Sequence, residues 1–389
     1  MKRNIILLSL SQASLITGTS TLLTSSAIVG LALAGHKSLA TMPLALLFLA
    51  QMATTIPASF YMAKVGRRLG FMTSSLFGLA GAVIMTGAVV KANFSLFCLG
   101  TTLIGVFNGF GQYYRFTAAE VVPDDYRSRA ISYVLVGGVI AAFVGPNLAN
   151  WSRHLLSAEF AGSYACLVGL YLLAFGFASL LQIPKPAAAA RSTSGRPLSI
   201  IAGQPAYLVA VASAMVGYGI MNFIMIATPL AMHGYAHAFS DTAFVIQWHI
   251  LGMFVPSFFT GHLIRRFGTT NIILTGILLL GLCVWINFSG TTVTHFWSAL
   301  VLLGLGWNFL FVGATTLLTE TYAPEEKAKA QALNDFIVFG TVTLTSFSSG
   351  AVQHALGWQT INLAVIPFLV LVTIANLWLR NTRRAALSN

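Results

Sequence analysis

Residues 41–90 read TMPLALLFLAQMATTIPASFYMAKVGRRLGFMTSSLFGLAGAVIMTGAVV. Two apolar runs, 41–62 and 70–90, stand on either side of the basic turn Lys64-Val65-Gly66-Arg67-Arg68. As helices rising about 1.5 Å per residue, each run is long enough to cross ~30 Å of hydrocarbon. Three cations in the turn hold it on the cation-rich side of the membrane, so the stretch is a transmembrane hairpin.

The rest of the chain repeats this design. Further apolar runs lie at 5–34, 96–118, 130–150, 162–183, 206–232, 242–263, 271–288, 296–318, 331–352 and 359–379. Of the 389 residues, 57% are hydrophobic and 8% charged, which excludes an ordinary soluble domain. The expected fold is an all-α membrane protein with twelve transmembrane helices. The run after Met1-Lys2-Arg3 is about twice the usual length of a signal-peptide core and is read as a retained helix.

The cations orient these helices. Lys2, Arg3, Lys64, Arg67, Arg68, Arg127, Arg129, Lys185, Arg191, Arg196, Arg265, Arg266, Lys327, Lys329, Arg380, Arg383 and Arg384 fall on the side of the termini, against Lys37, Lys91 and Arg153 opposite. Both termini are therefore expected in the cytoplasm of a bacterial cell, with the chain in its inner membrane and the lipid bilayer as its partner. The net charge of +12 is a topology signal, and no nucleic-acid partner is implied.

The two halves resemble each other at an offset near 200 residues. Asn108, Glu120, Pro123, Asp124, Asp125, Arg127, Arg129 and Ala130 are answered by Asn308, Glu320, Pro324, Glu325, Glu326, Lys327, Lys329 and Ala330. The turn at 64–68 has its echo in Arg266-Phe267-Gly268. Between the halves, 184–205 carries prolines, four alanines, Gly195, Arg191 and Arg196, the composition of a flexible linker. The expected organisation is two pseudo-symmetric six-helix bundles, 1–183 and 206–389, joined by a cytoplasmic linker at 184–205.

This layout resembles the major facilitator superfamily over essentially the whole chain. The turn with Lys64, Gly66, Arg67 and Arg68 looks like that family's cytoplasmic basic motif, with Ser59 and Ala63 replacing its first glycine and its acid. The resemblance implies a rocking, alternating-access transporter in which Asp335 could latch Lys64 or Arg68. Arg115 and Glu120, near the inner end of the fourth helix, complete the candidate gate or coupling set.

Met221/Met225 and His249/Met253 lie four apart on consecutive helices, each pair on one helical face. In an antiparallel hairpin centred near His237, Met225 falls level with His249 and Met221 with Met253, about midway across a bilayer. Thioether and imidazole suit a soft cation such as Cu(I). The plainer reading is that the methionines fill apolar gaps and His249 is a satisfied polar residue between helices. The M-x-x-x-M and H-x-x-x-M pairs resemble the CcoA-type bacterial copper importers, on these same helices. That resemblance implies copper import for assembly of cbb3-type cytochrome oxidase, with copper as the transported substrate, no resident cofactor, and a periplasmic or cytoplasmic copper chaperone as partner. His233 and His237 are the candidate intake residues on the outer side, or simply interfacial imidazoles.

Other polar residues have bland alternatives. Asn222 and Gln247 either support the metal ligands or pack helices. Asp241 is read as a helix N-cap. Cys98, Cys166 and Cys283 lack metal-ligand spacing and read as packing residues, with a Cys98–Cys166 disulfide as the alternative. Glycines such as Gly105, Gly137 and Gly145 would let helices approach closely. No nucleophile, acid/base set or phosphate-cradling loop stands out, so no enzyme is expected. Two rival functions remain: import of a planar organic solute such as riboflavin through a cavity lined by Tyr113, Tyr114, Phe223, Trp248 and Trp307, and a non-transporting copper sensor or assembly partner.

Overall fold

The structure is a computed structural model that describes residues 2–123, 126–183 and 195–388. Asp124, Asp125, Lys185 and Arg191, with linker residues 184–194, lie outside the described residues.

The long helices are α1 (Lys2–Leu33), α2 (Met42–Val65), α3 (Arg67–Val90), α4 (Phe94–Gly111), α6 (Arg127–Trp151), α7 (Ala161–Ser179), α9 (Pro205–Gly234), α10 (Phe239–Phe254), α12 (Thr269–Ser289), α13 (Val293–Thr319) and α14 (Lys327–Ser388). Shorter helices intervene: α5 (Tyr114–Glu120) continues α4, α8 (Leu198–Ala202) precedes α9, and α11 (Ser257–Phe267) continues α10. Among the described residues, ten runs are long and apolar enough to span a membrane, and α10 with α11, bent by 45°, makes another. The last run, Lys329–Arg383, has 55 residues. At about 1.5 Å per residue it would be far longer than ~30 Å of hydrocarbon. Gly357, at φ 77° and ψ 178°, breaks α14 into two helices.

The internal repeat is visible in the backbone. A single glycine joins α2 to α3 and another joins α11 to α12: Gly66 has φ 94° and ψ 158°, Gly268 φ 85° and ψ 150°. That region is open only to a residue without Cβ, so the same chain reversal is built in the same way at corresponding places. Helix α2 runs on through Pro57, whereas the chain bends at Pro256 between α10 and α11.

Two compact units emerge from the packing. The first comprises Met1–Ala189 with Met232–Gln247, and the second Ala190–Ala231 with Trp248–Asn389. In the first, α1 packs along α6 and α7, while α4 packs between α2 and α3. Gly105 lets α4 approach α2 so closely that a Cβ there would lie 2.3 Å from the Leu47 carbonyl oxygen. The chain start is tied to the end of α7: Asn4 Nδ2 donates to the Gln182 carbonyl (2.7 Å) and Arg3 to that of Leu180 (3.1 Å). Cys98, Cys166 and Cys283 are all free thiols, so the disulfide alternative is absent.

In the second unit, α12 packs on α13 and α14. The described end of the linker is pinned to the loop before α14. Arg196 donates through Nε and Nη2 to Glu326 (2.9 and 2.7 Å) and through its backbone N–H (2.7 Å), and Ala323 N–H donates to the same carboxylate (3.0 Å). Glu326 is only 2% exposed. Arg196, first, and the Ala323 N–H hold its carboxyl well down, at about 2 against an ordinary 4.5. A lowered folded-state pKa stabilises above the ordinary value and is lost as pH falls through the folded one. The clasp should therefore weaken from about pH 4.5 down to about 2. Melting curves of the purified protein across that range should fall less steeply for Glu326→Gln than for the parent; parallel curves would show that the clasp contributes nothing.

Candidate functional site

Helix α13 organises the second unit. Leu300, Gly304, Trp307 and Phe311 recur at helical spacing along one face. At Gly304, α10 comes so close that an added Cβ would lie 2.4 Å from the His249 carbonyl oxygen. One turn away, His249 Nδ1 lies 2.9 Å from the Leu300 carbonyl oxygen. Because a carbonyl only accepts, Nδ1 carries the proton and Nε2 is left as the lone-pair nitrogen. His249 is fully buried, and Nε2 has no hydrogen-bond partner among the described residues.

Met221, Met225 and Met253 are buried at 2%, 3% and 9% exposure. All four residues of the metal motif thus lie in the interior of the second unit. Met253 sits beside the bend at Pro256, where Asn308 of α13 donates to its carbonyl (2.7 Å) and to Ser257 Oγ (2.7 Å), and accepts from Thr260 Oγ1 (2.7 Å). Asn222, the neighbour of Met221, is committed elsewhere: its amide donates to Val342 O, Thr345 Oγ1 and Ser346 Oγ at 2.8–3.1 Å. It clamps α9 to α14, which is the packing alternative. Gln247 accepts from Asn147 (2.6 Å), so it too joins helices.

Toward the inner end of the same face, α13 carries an aromatic group with α9 and α14. Tyr218 meets Trp307, Phe311 and Phe339 with ring centroids 5.2, 5.5 and 6.0 Å away. Of the aromatic residues singled out in the sequence, Trp307 belongs to this group. Tyr114 does not line a cavity: it is fully buried against Phe71, 4.5 Å between centroids, in the first unit. Tyr113 donates to the Thr55 carbonyl and lies under Arg67. Trp248 is 38% exposed beside Trp297, and Phe223 is buried. Sequence reading passed over Tyr218, Phe311 and Phe339. The Trp307/Phe311 spacing of four, on a helix already bearing a buried asparagine, was the available signal.

In the first unit, His233 and His237 line a cavity of about 560 Å³ with Arg153, Glu159, Phe160 and Phe239. Arg153 pairs with Glu159, and its guanidinium lies 5.1 Å from the rings of both Phe160 and Phe239. Phe160 and Ala236 both have left-handed backbones, φ 66° and 60°. Asp241 is not the N-cap of α10, which starts at Phe239. It lies in the first turn, where a carboxylate complements the helix dipole.

Beside the α2–α3 turn, Glu120 pairs with Arg67 (2.6 Å), and the guanidinium of Arg115 stacks on Phe116. Lys64 and Arg68 are exposed. Asp335 accepts from Asn334 (3.0 Å), and Glu320 pairs with Arg383 (2.9 Å). Arg67, which was outside the candidate gate set, is the cation that meets Glu120. Arg67 starts α3 beside the glycine reversal and is turned toward the end of α5.

Comparison with known proteins bears on what these units are for. Residues 209–389 match the model of the Major Facilitator Superfamily, and residues 11–173 that of the Sugar (and other) transporter family. The chain is 41% identical to the riboflavin transporter RfnT of Brucella anthropi over 376 residues, which covers 96% of this chain and 94% of the relative. It is 27% identical to an uncharacterized MFS-type transporter, YdeG, of Bacillus subtilis, over 91% of this chain and 85% of that one. Among solved structures, the nucleoside transporter NupG superposes with a TM-score of 0.75 at 14% identity, over 96% of this chain and 99% of that one. An auto-inhibited POT family peptide transporter does so with 0.70 at 13%, over 98% and 97%. At those identities the likeness is one of fold.

The α10–α13 approach makes one outcome specific. Gly304→Val should force backbones apart and cost about 1–3 kcal/mol, lowering the melting temperature of the purified protein. An unchanged midpoint would show that the two helices are not held in this contact.

Proposed function

This chain belongs to the major facilitator superfamily, and within it we propose an importer of riboflavin or a closely related flavin. It is a secondary transporter of that type, with no enzymatic role. The observation that carries the flavin reading is the 41% identity to a riboflavin transporter over nearly the full length of both chains. The aromatic group around Tyr218 supports the same reading, because a planar ring system is bound by stacking on other rings. The distribution of cations supports a cytoplasmic location for the termini and for the Arg67–Glu120 and Arg196–Glu326 pairs.

Copper as the substrate is the second reading, and one observation favours it. His249 presents a buried imidazole nitrogen with no partner among the described residues, its tautomer set by the Leu300 carbonyl, as in many metal-binding histidines. Its helix partners are thioethers. Against it, the relative that matches nearly end to end is a riboflavin transporter, and packing accounts for the buried methionines. The sensor alternative, with its chaperone, has no observation in its favour.

One experiment separates the readings. A bacterial strain unable to make or import riboflavin should grow on low riboflavin and accumulate labelled riboflavin when it carries this protein, while its radiocopper uptake stays at the level of the empty strain. Met221→Ala and His249→Ala should leave flavin uptake within about twofold of the parent, since thioether and imidazole ligation are not needed to hold an uncharged ring. Copper uptake that vanishes in both variants, with no flavin uptake in the parent, would reverse the assignment.

A further inference from the structure

An aromatic group of the second unit bears on how a flavin is held, an inference that rests on the flavin reading itself. Tyr218 of α9 is met edge-on by Trp307 (89°) and Phe311 (85°), and at a tilt by Phe339 of α14 (58°). Trp307 and Phe311, one turn apart on α13, are stacked, with planes 7° from parallel and centroids 5.2 Å apart. Counted along α9, α13 and α14, the group lies roughly 20 Å from the helix starts, near the middle of a bilayer. Tyr218, Phe311 and Phe339 are half-buried, and the buried residues Ala214, Ala314 and Val338 lie behind Tyr218 and Phe311. Rings backed by small residues and left partly uncovered at this depth form a face, not a filled core.

Trp307 adds a polar feature. It is 7% exposed, and its Nε1–H has no hydrogen-bond partner among the described residues. A buried indole N–H ordinarily finds an acceptor. Of the three side chains around it only Tyr218 carries an acceptor, its hydroxyl, and that oxygen is not in hydrogen-bond reach of Trp307 Nε1. The feature missing from the protein is a carbonyl oxygen brought in alongside a flat ring.

We propose that Tyr218, Trp307, Phe311 and Phe339 form the subsite for the tricyclic ring of the flavin, with the Trp307 N–H donating to a carbonyl oxygen of that ring as the transporter closes on it. The chemistry matches on three counts. The isoalloxazine is planar and stacks on aromatic side chains. Its pyrimidine edge carries two carbonyl acceptors. It is uncharged, so rings without a formal charge bind it at membrane depth without an ion to desolvate. The subsite is distinct from Met221, Met225, His249 and Met253.

The test uses the full-length protein purified in detergent and riboflavin as the probe, because isoalloxazine emission is quenched by stacking on tryptophan or tyrosine. The parent should quench the emission on binding, lumiflavin should compete, and ribitol should not. Tyr218→Leu and Phe311→Leu keep apolar bulk and remove a ring, and each should raise the Kd about tenfold or more. Trp307→Phe keeps a ring and removes the donor, and should raise it about tenfold. Tyr218→Phe should bind like the parent. A variant that loses its monodisperse profile is set aside, and the remaining ones decide. If the parent binds and transports riboflavin while the well-folded variants stay within about twofold of its Kd, this subsite is wrong and the flavin reading survives. If the parent neither binds nor transports riboflavin, the underlying reading falls and takes the subsite with it.

Discussion

In hydrocarbon there is no water to take up a backbone carbonyl released by a break in a helix, and the bend at Pro256 makes such a break within a membrane span. Asn308 answers it. Its amide donates to the Met253 carbonyl and Ser257 Oγ and accepts from Thr260 Oγ1, so one side chain satisfies groups on both limbs of the bend. The same solution recurs at three other helix contacts of the second unit. Asn222 clamps α9 to α14, Asn287 donates to Asn362 (2.7 Å), and Asn376 donates to Ser213 (2.9 Å). Between helices that lipid solvates as well as protein does, such bonds and close packing of small residues replace the hydrophobic drive of a water-soluble core.

Holding the bend in this way fixes what α13 can present. With α10 seated on Gly304 and His249 bonded to the Leu300 carbonyl, one end of the α13 face is occupied by a neighbouring backbone. The next turns carry Trp307 and Phe311, and there the neighbours are rings. Two chemistries thus meet α13, the buried imidazole of His249 and an aromatic face. Geometry alone admits both, and the near-full-length likeness to a riboflavin transporter gives weight to the second.

Much of the fold was legible because membrane solvation writes itself into composition. Apolar runs of bilayer length and cations on alternate turns marked out the long helices, and the glycine reversals echo the repeat at an offset near 200. The bend at Pro256 was missed because hydrophobicity runs through it, although the proline stood in the sequence. The site was read less well. Met221/Met225 and His249/Met253 have the spacing of ligands, but the same spacing is what one buried helical face produces, and thioethers fill gaps as readily as they bind metal. Tyr113 and Tyr114 show the limit from the other side. Adjacent residues on a helix point about 100° apart, so one entered the core and the other the surface beneath Arg67, and composition could not say which. Glu120 was identified as a charge needing a partner, yet its partner followed from the turn geometry at Gly66, which places Arg67 opposite it.

The reversals at Gly66 and Gly268 limit how the chain can be altered. Each is one residue long and sits in a backbone region closed to side chains, so neither join has slack for an extra residue. An inserted epitope or fused reporter there would have to unwind a helix end to be accommodated. The segment between α6 and α7, with its exposed residues 154–157, is the more permissive place for such a graft.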